Sequence, residues 1–138
     1  MSYWRLHYHL IWATKRRLPL IGSEEEAIVA ESLRMTMSRM KIIGHAIGMV
    51  EDHVHLALSI PPTVAVADAV GRLKGASSHL IGQHLEVTGF AWQSEYGALS
   101  LTERALPTVV DYVQNQKQHH VDNTLIHGLE RIGQKQDQ

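Results

Sequence analysis

Residues 51–60, EDHVHLALSI, set His53 and His55 on either side of Val54 within a run that reads as a strand. Alternate residues of a strand share a face, so 53, 55, 57 and 59 point one way and the aliphatic Val54, Leu56, Leu58 and Ile60 the other. The aliphatic set belongs in a core, which turns both imidazoles to the opposite side. Two imidazoles projecting in parallel from a rigid strand can converge on one divalent cation, and their nitrogens suit Zn, Mn, Fe or Ni. They can equally be two surface histidines on a half-exposed sheet. A metal site needs a third ligand from elsewhere in the chain.

The segment PTVVDYVQNQKQHH, from Pro107, offers one. At about 100° per residue, Tyr112, Gln116 and His119 share a narrow stripe of a helix. Val109 and Val113 lie beside that stripe and would seat the helix on the sheet. A glutamine oxygen can ligate a cation. Tyr112, at the edge of an apolar stripe, is either a half-buried packing residue or a phenolic nucleophile. The second role fits the set. A phenol titrates near pH 10, at about that value, and is a weak nucleophile at neutral pH. A divalent cation stabilises charge developing on a phosphodiester, and tyrosine attack leaves a covalent phosphotyrosine that stores the bond for rejoining.

The elements that must position these groups follow from periodicity. Residues 3–14 alternate, with Trp4, Leu6, Tyr8, Leu10 and Trp12 on one face and Arg5, His7, His9 and Ile11 on the other. His7 and His9 either lie near a metal or face solvent, and the second is expected. A helix begins at Ser23, with Glu26 completing a capping box. Residues 41–60 read as an antiparallel hairpin turning at Glu51 and Asp52. A second helix carries Val70, Leu73 and Ser77. Gly71 and Gly75 within it imply close approach of another backbone or a ligand. Residues 90–101 read as the fourth strand, and the helix from Pro107 follows. The order β-α-β-β-α-β-α predicts an α/β (α+β), ferredoxin-like or RRM-like sandwich. Its antiparallel sheet has helices on one face and a free opposite face, plus a C-terminal tyrosine-bearing helix. Residues 1–121 form a single domain, and 122–138 are expected to be a polar, partly loose tail.

The 138 residues suffice for one domain with a real core. With no cysteine, disulfides and thiolate metal sites are excluded. No apolar run approaches the ~20 residues that cross a bilayer, so a cytoplasmic protein without membrane association is expected. The net charge of −1 argues against a wide phosphate footprint. Basic residues are nonetheless grouped, with Arg16 and Arg17 after the first strand and Lys74 on the second helix. These are the candidate DNA contacts.

Taken together, YHLIWATKRR, DHVHLALSIPP, GRLKGASS, WQSEYGALSL and YVQNQKQHH resemble the HUH-type single-tyrosine transposases of insertion sequences and the related REP-associated tyrosine transposases. The likeness runs from about Tyr3 to His120. His53-Val54-His55 matches the His–hydrophobe–His motif, Tyr112 the nucleophile and Gln116 the third metal ligand. Glu95 stands where that family often has glycine. The resemblance implies Mg²⁺ or Mn²⁺ as cofactor and single-stranded DNA with a hairpin as substrate, cleaved to a 5′-phosphotyrosine and a free 3′-OH. It also implies a homodimer in which the tyrosine helix acts on its own or the partner's histidines. The contrasting readings are a non-catalytic RRM-like nucleic-acid-binding or regulatory protein, and a metal-dependent phosphodiesterase that would not need Tyr112.

Overall fold

Alternating apolar residues produce four strands in an antiparallel sheet of order β2-β3-β1-β4. They are β1 (His7–Ala13), β2 (Ile43–Val50), β3 (His53–Ser59) and β4 (Gly97–Leu101). Helix α1 (Ser23–Arg39) joins β1 to β2, and α2 (Val66–Leu85) joins β3 to β4. This is the expected ferredoxin-like arrangement. The computed structural model describes residues 2–85 and 89–133. The last residues of the proposed tail, 134–138, lie outside that range.

Leu10 and Trp12 of β1 and Val54, Leu56 and Leu58 of β3 face α1 and α2. They meet Val29, Leu33, Val70, Leu73 and Ile81, all essentially without solvent contact. Each such side chain contributes about 1.5–3 kcal/mol by leaving water. The start of α1 sits one residue earlier in its cap than expected. Gly22 is the N-cap, and its N–H donates to Oε1 of Glu25 at 2.8 Å. Ser23 is already helical.

The opposite face carries His7, His9 and Ile11 of β1 with His53, His55, Ala57 and Ser59 of β3. It is not free, as the sequence pattern implied. Helices α3 (Leu106–Gln114), α4 (Gln116–Asp122) and α5 (His127–Glu130) cover it. Val109, Tyr112, Val113 and Leu129 pack on Ala46 and Ala57, while Ile132 packs on Ile11 and Ala13. The residues after Val121 are therefore docked as far as Gly133, because Leu129 and Ile132 are apolar anchors in an otherwise polar stretch. His7 and His9 are buried, at 7% and 1% exposure, instead of facing solvent.

Three further expectations change. The helix from Pro107 is broken at Asn115 (φ −107°, ψ 28°), so Tyr112 and Gln116 stand on separate helices. The fourth strand shrinks to five residues, with Trp92 making an isolated bridge to Thr14. Gly71 and Gly75 face open space, and no backbone approaches them.

Close approach occurs instead at Gly48 and Gly97. The register aligns Gly48, His55, Ile11 and Gly97 in one row across all four strands. A Cβ at Gly48 would overlap the carbonyl oxygen of Val113, and one at Gly97 that of Arg131. Bare backbone at both ends of the row lets the C-terminal segments lie directly on the sheet. Gly48→Ala should therefore cost about 1–3 kcal/mol through overpacking. Gly71→Ala, on an open helix face, should be neutral or stabilising by up to about 1 kcal/mol. Urea titration of the two variants checks this, and equal stabilities would remove the close-approach argument.

Candidate active site

His53 and His55 both reach the face under α3–α5, and each has a partner that orients its ring. His53 Nδ1 lies 2.7 Å from Oδ1 of Asp52. A carboxylate there accepts a hydrogen bond from Nδ1–H, and that tautomer leaves the Nε2 lone pair available to a ligand. His55 Nδ1 lies 2.8 Å from Nε2 of His9. Burial holds the His9 ring down to about 3, helped by neighbouring His55, and burial likewise lowers His55. Two neutral rings share one proton across this contact. When His55 donates from Nδ1, its Nε2 is a bare ligand nitrogen.

The free sides of both rings meet one carboxylate. Glu130 Oε1 is 3.2 Å from His53 Nε2, and Oε2 is 3.2 Å from His55 Nε2. Neither contact is aligned as a hydrogen bond, and both nitrogens are buried without such a partner among the described residues. His120 Nε2, 3.8 Å from Glu130, is in the same condition. His53, His120 and Glu130 offer ligand atoms close enough to share one cation.

Tyr112 completes the cluster. Its hydroxyl donates to Oε2 of Glu130 in a very short contact and accepts from the Ile126 N–H at 3.0 Å. The ring stacks on His119 at 4.6 Å and meets the edge of His55 at 5.9 Å. At 2% exposure Tyr112 is fully buried, not half-buried as its stripe implied, because α5 closes over it. Gln116 is also buried. Its Nε2 donates to the Tyr112 carbonyl at 3.2 Å, and its Oε1 has no partner among the described residues. It lies over Gly48, the cross-strand partner of His55.

The electrostatics of the cluster are strongly coupled. Burial alone would raise the Glu130 carboxyl, but His53 and His55, in the tautomers that carry the proton on Nε2, and the Tyr112 hydroxyl outweigh it and hold the group well below the usual carboxylate range. Burial, reinforced by Glu130, pushes the Tyr112 phenol up to about 12. The orphaned imidazole nitrogens of His53, His55 and His120 around the Glu130 carboxylate are a donor set that fits a divalent cation.

The sequence-derived candidates divide. His53, His55, Tyr112 and Gln116 come together. Arg16 and Arg17 sit in the 3₁₀ turn after β1, exposed, with Arg17 Nη1 3.6 Å from Asp52. Lys74 lies elsewhere, its Nζ donating to the carbonyls of Gln93 and Glu95. Asp52, His120 and Glu130 were missed, and His9, expected to face solvent, instead lies against His55. His9 shares a face with His7 and Ile11 in the strand pattern, but its contact with His55 depends on the β1–β3 register. Glu130 stands in a segment whose short helix has no periodic signal.

The His9 shift carries a pH dependence. A folded-state value depressed below the ordinary 6.5 means that the unfolded chain takes the proton first. The contribution is present above 6.5 and is lost as pH falls from there toward about 3, at about 1.4 kcal/mol per unit. Metal-free protein should therefore lose stability steadily between pH 6.5 and 4. His9→Asn should flatten that slope in urea titrations at several pH values.

Comparisons with known proteins show the family and the fold. The model of the family described as "Transposase IS200 like" matches residues 2–116. The ISDra2 transposase TnpA of Deinococcus radiodurans is 30% identical over 119 residues, covering 82% of this chain and 85% of its own. The crystal structure of a transposase assigned in Deinococcus radiodurans R1 superposes with a TM-score of 0.65 at 28% identity, over 84% of this chain and 95% of that one. A REP-associated tyrosine transposase bound to a REP hairpin has the same fold, with a TM-score of 0.67 at 12% identity over 87% of this chain and 74% of its own. With the family model spanning most of its length, this chain belongs to the IS200-like transposases.

Proposed function

We propose that this transposase is metal-dependent and cleaves and rejoins single-stranded, hairpin-bearing DNA through a 5′-phosphotyrosine on Tyr112. The observation that carries the reading is the convergence of Tyr112, His53 and His55 on the Glu130 carboxylate, with Gln116 beside them. His53 Nε2, His55 Nε2 and Gln116 Oε1 would hold Mg²⁺ or Mn²⁺, and Glu130 and His120 can add an oxygen and a nitrogen. When bound, such a cation supplies positive charge to the phosphate oxygens.

Tyr112 then forms the Oη–P bond while the bond from phosphorus to the 3′-oxygen breaks, leaving a 3′-OH after protonation by solvent. The phenolic proton passes to Glu130, which already accepts it in a hydrogen bond. A phenol near 12 does not surrender its proton to so weak a base in advance. The transfer belongs with Oη–P bond formation, which makes that proton acidic. Asp52 and His9 hold the ligand rings in place. Tyr112 lies against histidines of its own chain.

Arg16, Arg17 and Lys74 are the proposed phosphate contacts. The two arginines are exposed, whereas Lys74 would have to leave two carbonyls. A homodimer is proposed through a sheet edge, since β2 and β4 are terminal strands and Ile43 and Leu99 are exposed. The aromatic face of β1 gives no reason for it, because Trp12 is buried under α2 and Tyr8 packs on the same core. No described helix is long and apolar enough to cross a membrane. A cytoplasmic location, beside the DNA, is part of the proposal. A neighbour of the same fold holds a hairpin, which makes a hairpin-bearing single strand the natural probe.

Incubation with Mn²⁺ and a labelled strand of that kind should give a covalent adduct on a denaturing gel. Tyr112→Phe should abolish the adduct. It should cost about 1–2 kcal/mol of stability, because the Ile126 N–H loses its acceptor. Cleavage without an adduct would favour a hydrolytic phosphodiesterase, and binding without cleavage a regulatory protein. His53→Ala and His55→Ala should each weaken Mn²⁺ binding at least about tenfold in calorimetric titrations. Unchanged affinity in either would remove that ring from the site.

A further inference from the structure

A second polar cluster lies on the same sheet face, at the far end of β1 and β3. Ala46 and Ala57, under Val109, separate it from the metal-ligand cluster. Ser59 Oγ sits 2.7 Å from His7 Nδ1 and 2.7 Å from His45 Nε2. A hydroxyl has one proton, so it donates to one ring and accepts from the other. His7 is 7% exposed, and its remaining Nε2 is buried with no hydrogen-bond partner among the described residues. It lies 3.8 Å from Oε1 of Glu103. A buried imidazole nitrogen left without a bond is costly unless a ligand completes it.

These groups border a cleft of about 550 Å³. Its walls include Tyr3, Trp4, Leu106 and Pro107. The Arg5 guanidinium lies over the Tyr3 ring at 4.6 Å, and Arg5 Nε is held by Glu103 at 2.8 Å. The cleft thus has flat aromatic and guanidinium surfaces around a polar floor. Glu103 makes it unfavourable for a phosphate. Its imidazoles do not gather with Glu103 on one point as His53, His120 and Glu130 do, so a cation is not the fit.

We propose that this cleft takes an unpaired nucleobase of the DNA strand, one bearing an exocyclic amino group. The proposal rests on the single-strand reading above. The base stacks against the Tyr3, Trp4 and Arg5 walls, as unstacked bases do on aromatic rings and guanidinium planes. Its amino group donates to Glu103, and a ring nitrogen or carbonyl meets His7 Nε2. Thymine offers no amino group and is disfavoured. The cleft would therefore select sequence at a position away from the phosphodiester that Tyr112 attacks.

The test uses ¹⁵N-histidine-labelled full chain in EDTA, so that no cation takes part. It is titrated with the 5′-monophosphates of deoxycytidine, deoxyadenosine, deoxyguanosine and thymidine, and with 2-deoxyribose 5-phosphate as the abasic control. At least one amino-bearing nucleotide should move the His7 and His45 ring signals, with thymidine monophosphate about tenfold weaker and the abasic sugar silent. Glu103→Gln should erase the preference over thymidine, and Tyr3→Ala should weaken the binding of every base. Equal response to the abasic sugar, or shifts confined to His53 and His55, would overturn the proposal. Adduct formation at Tyr112 with a silent cleft would overturn it while leaving the proposed catalysis intact. A responsive cleft without adduct would uphold it and remove the catalysis.

Discussion

The site depends on the absence of two side chains. The row Gly48, His55, Ile11 and Gly97 spans the sheet, and its glycines let backbone rest on backbone at either end. On one side the Val113 carbonyl settles over Gly48, which brings Tyr112 and Gln116 down beside His55. On the other the Arg131 carbonyl settles over Gly97, which brings in Glu130. A methyl group at either position would raise one wall of the site away from the histidines. The chemistry of the cluster is thus set by packing distance before it is set by residue type.

Within that frame Glu130 is the electrostatic centre. A carboxylate buried among neutral rings would be unfavourable, and burial does push it upward. The Tyr112 hydroxyl, and the two histidine nitrogens whenever they carry the proton, reverse the balance. The same contacts keep the phenol protonated. The arrangement stores a charge and a proton side by side, close to His53 Nε2, His55 Nε2 and His120 Nε2, which have no hydrogen-bond partner among the described residues.

Much of the fold was legible because it follows from period. The alternation in β1 and β3 gave the sheet, and the strand parity of 53 and 55 placed both histidines on one face. Tyr112 and Gln116 were found four residues apart, although the helix that suggested the pairing is interrupted at Asn115. What was not legible depends on register and on tertiary cover. Parity placed His9 correctly opposite Leu10, but exposure was misjudged, since nothing local signals that α3–α5 would close that face. Glu130 lies in a four-residue helix, too short for any periodic pattern. Arg16 and Arg17 adopt positive φ values of 59° and 52°, a local conformation that the run KRR does not announce.

The separation of the apolar clusters on the two faces of the sheet has a consequence for cooperativity. The main core lies between the sheet and α1 and α2, while α3–α5 and the residues after them rest on the other side over two smaller clusters. Lifting that layer would wet the histidines and Tyr112 but leave the main core dry. The groups that converge on Glu130 thus lie under the smaller of the two packed layers. A local opening of α3–α5 would cost the contacts of the smaller clusters alone and leave those of the main core intact.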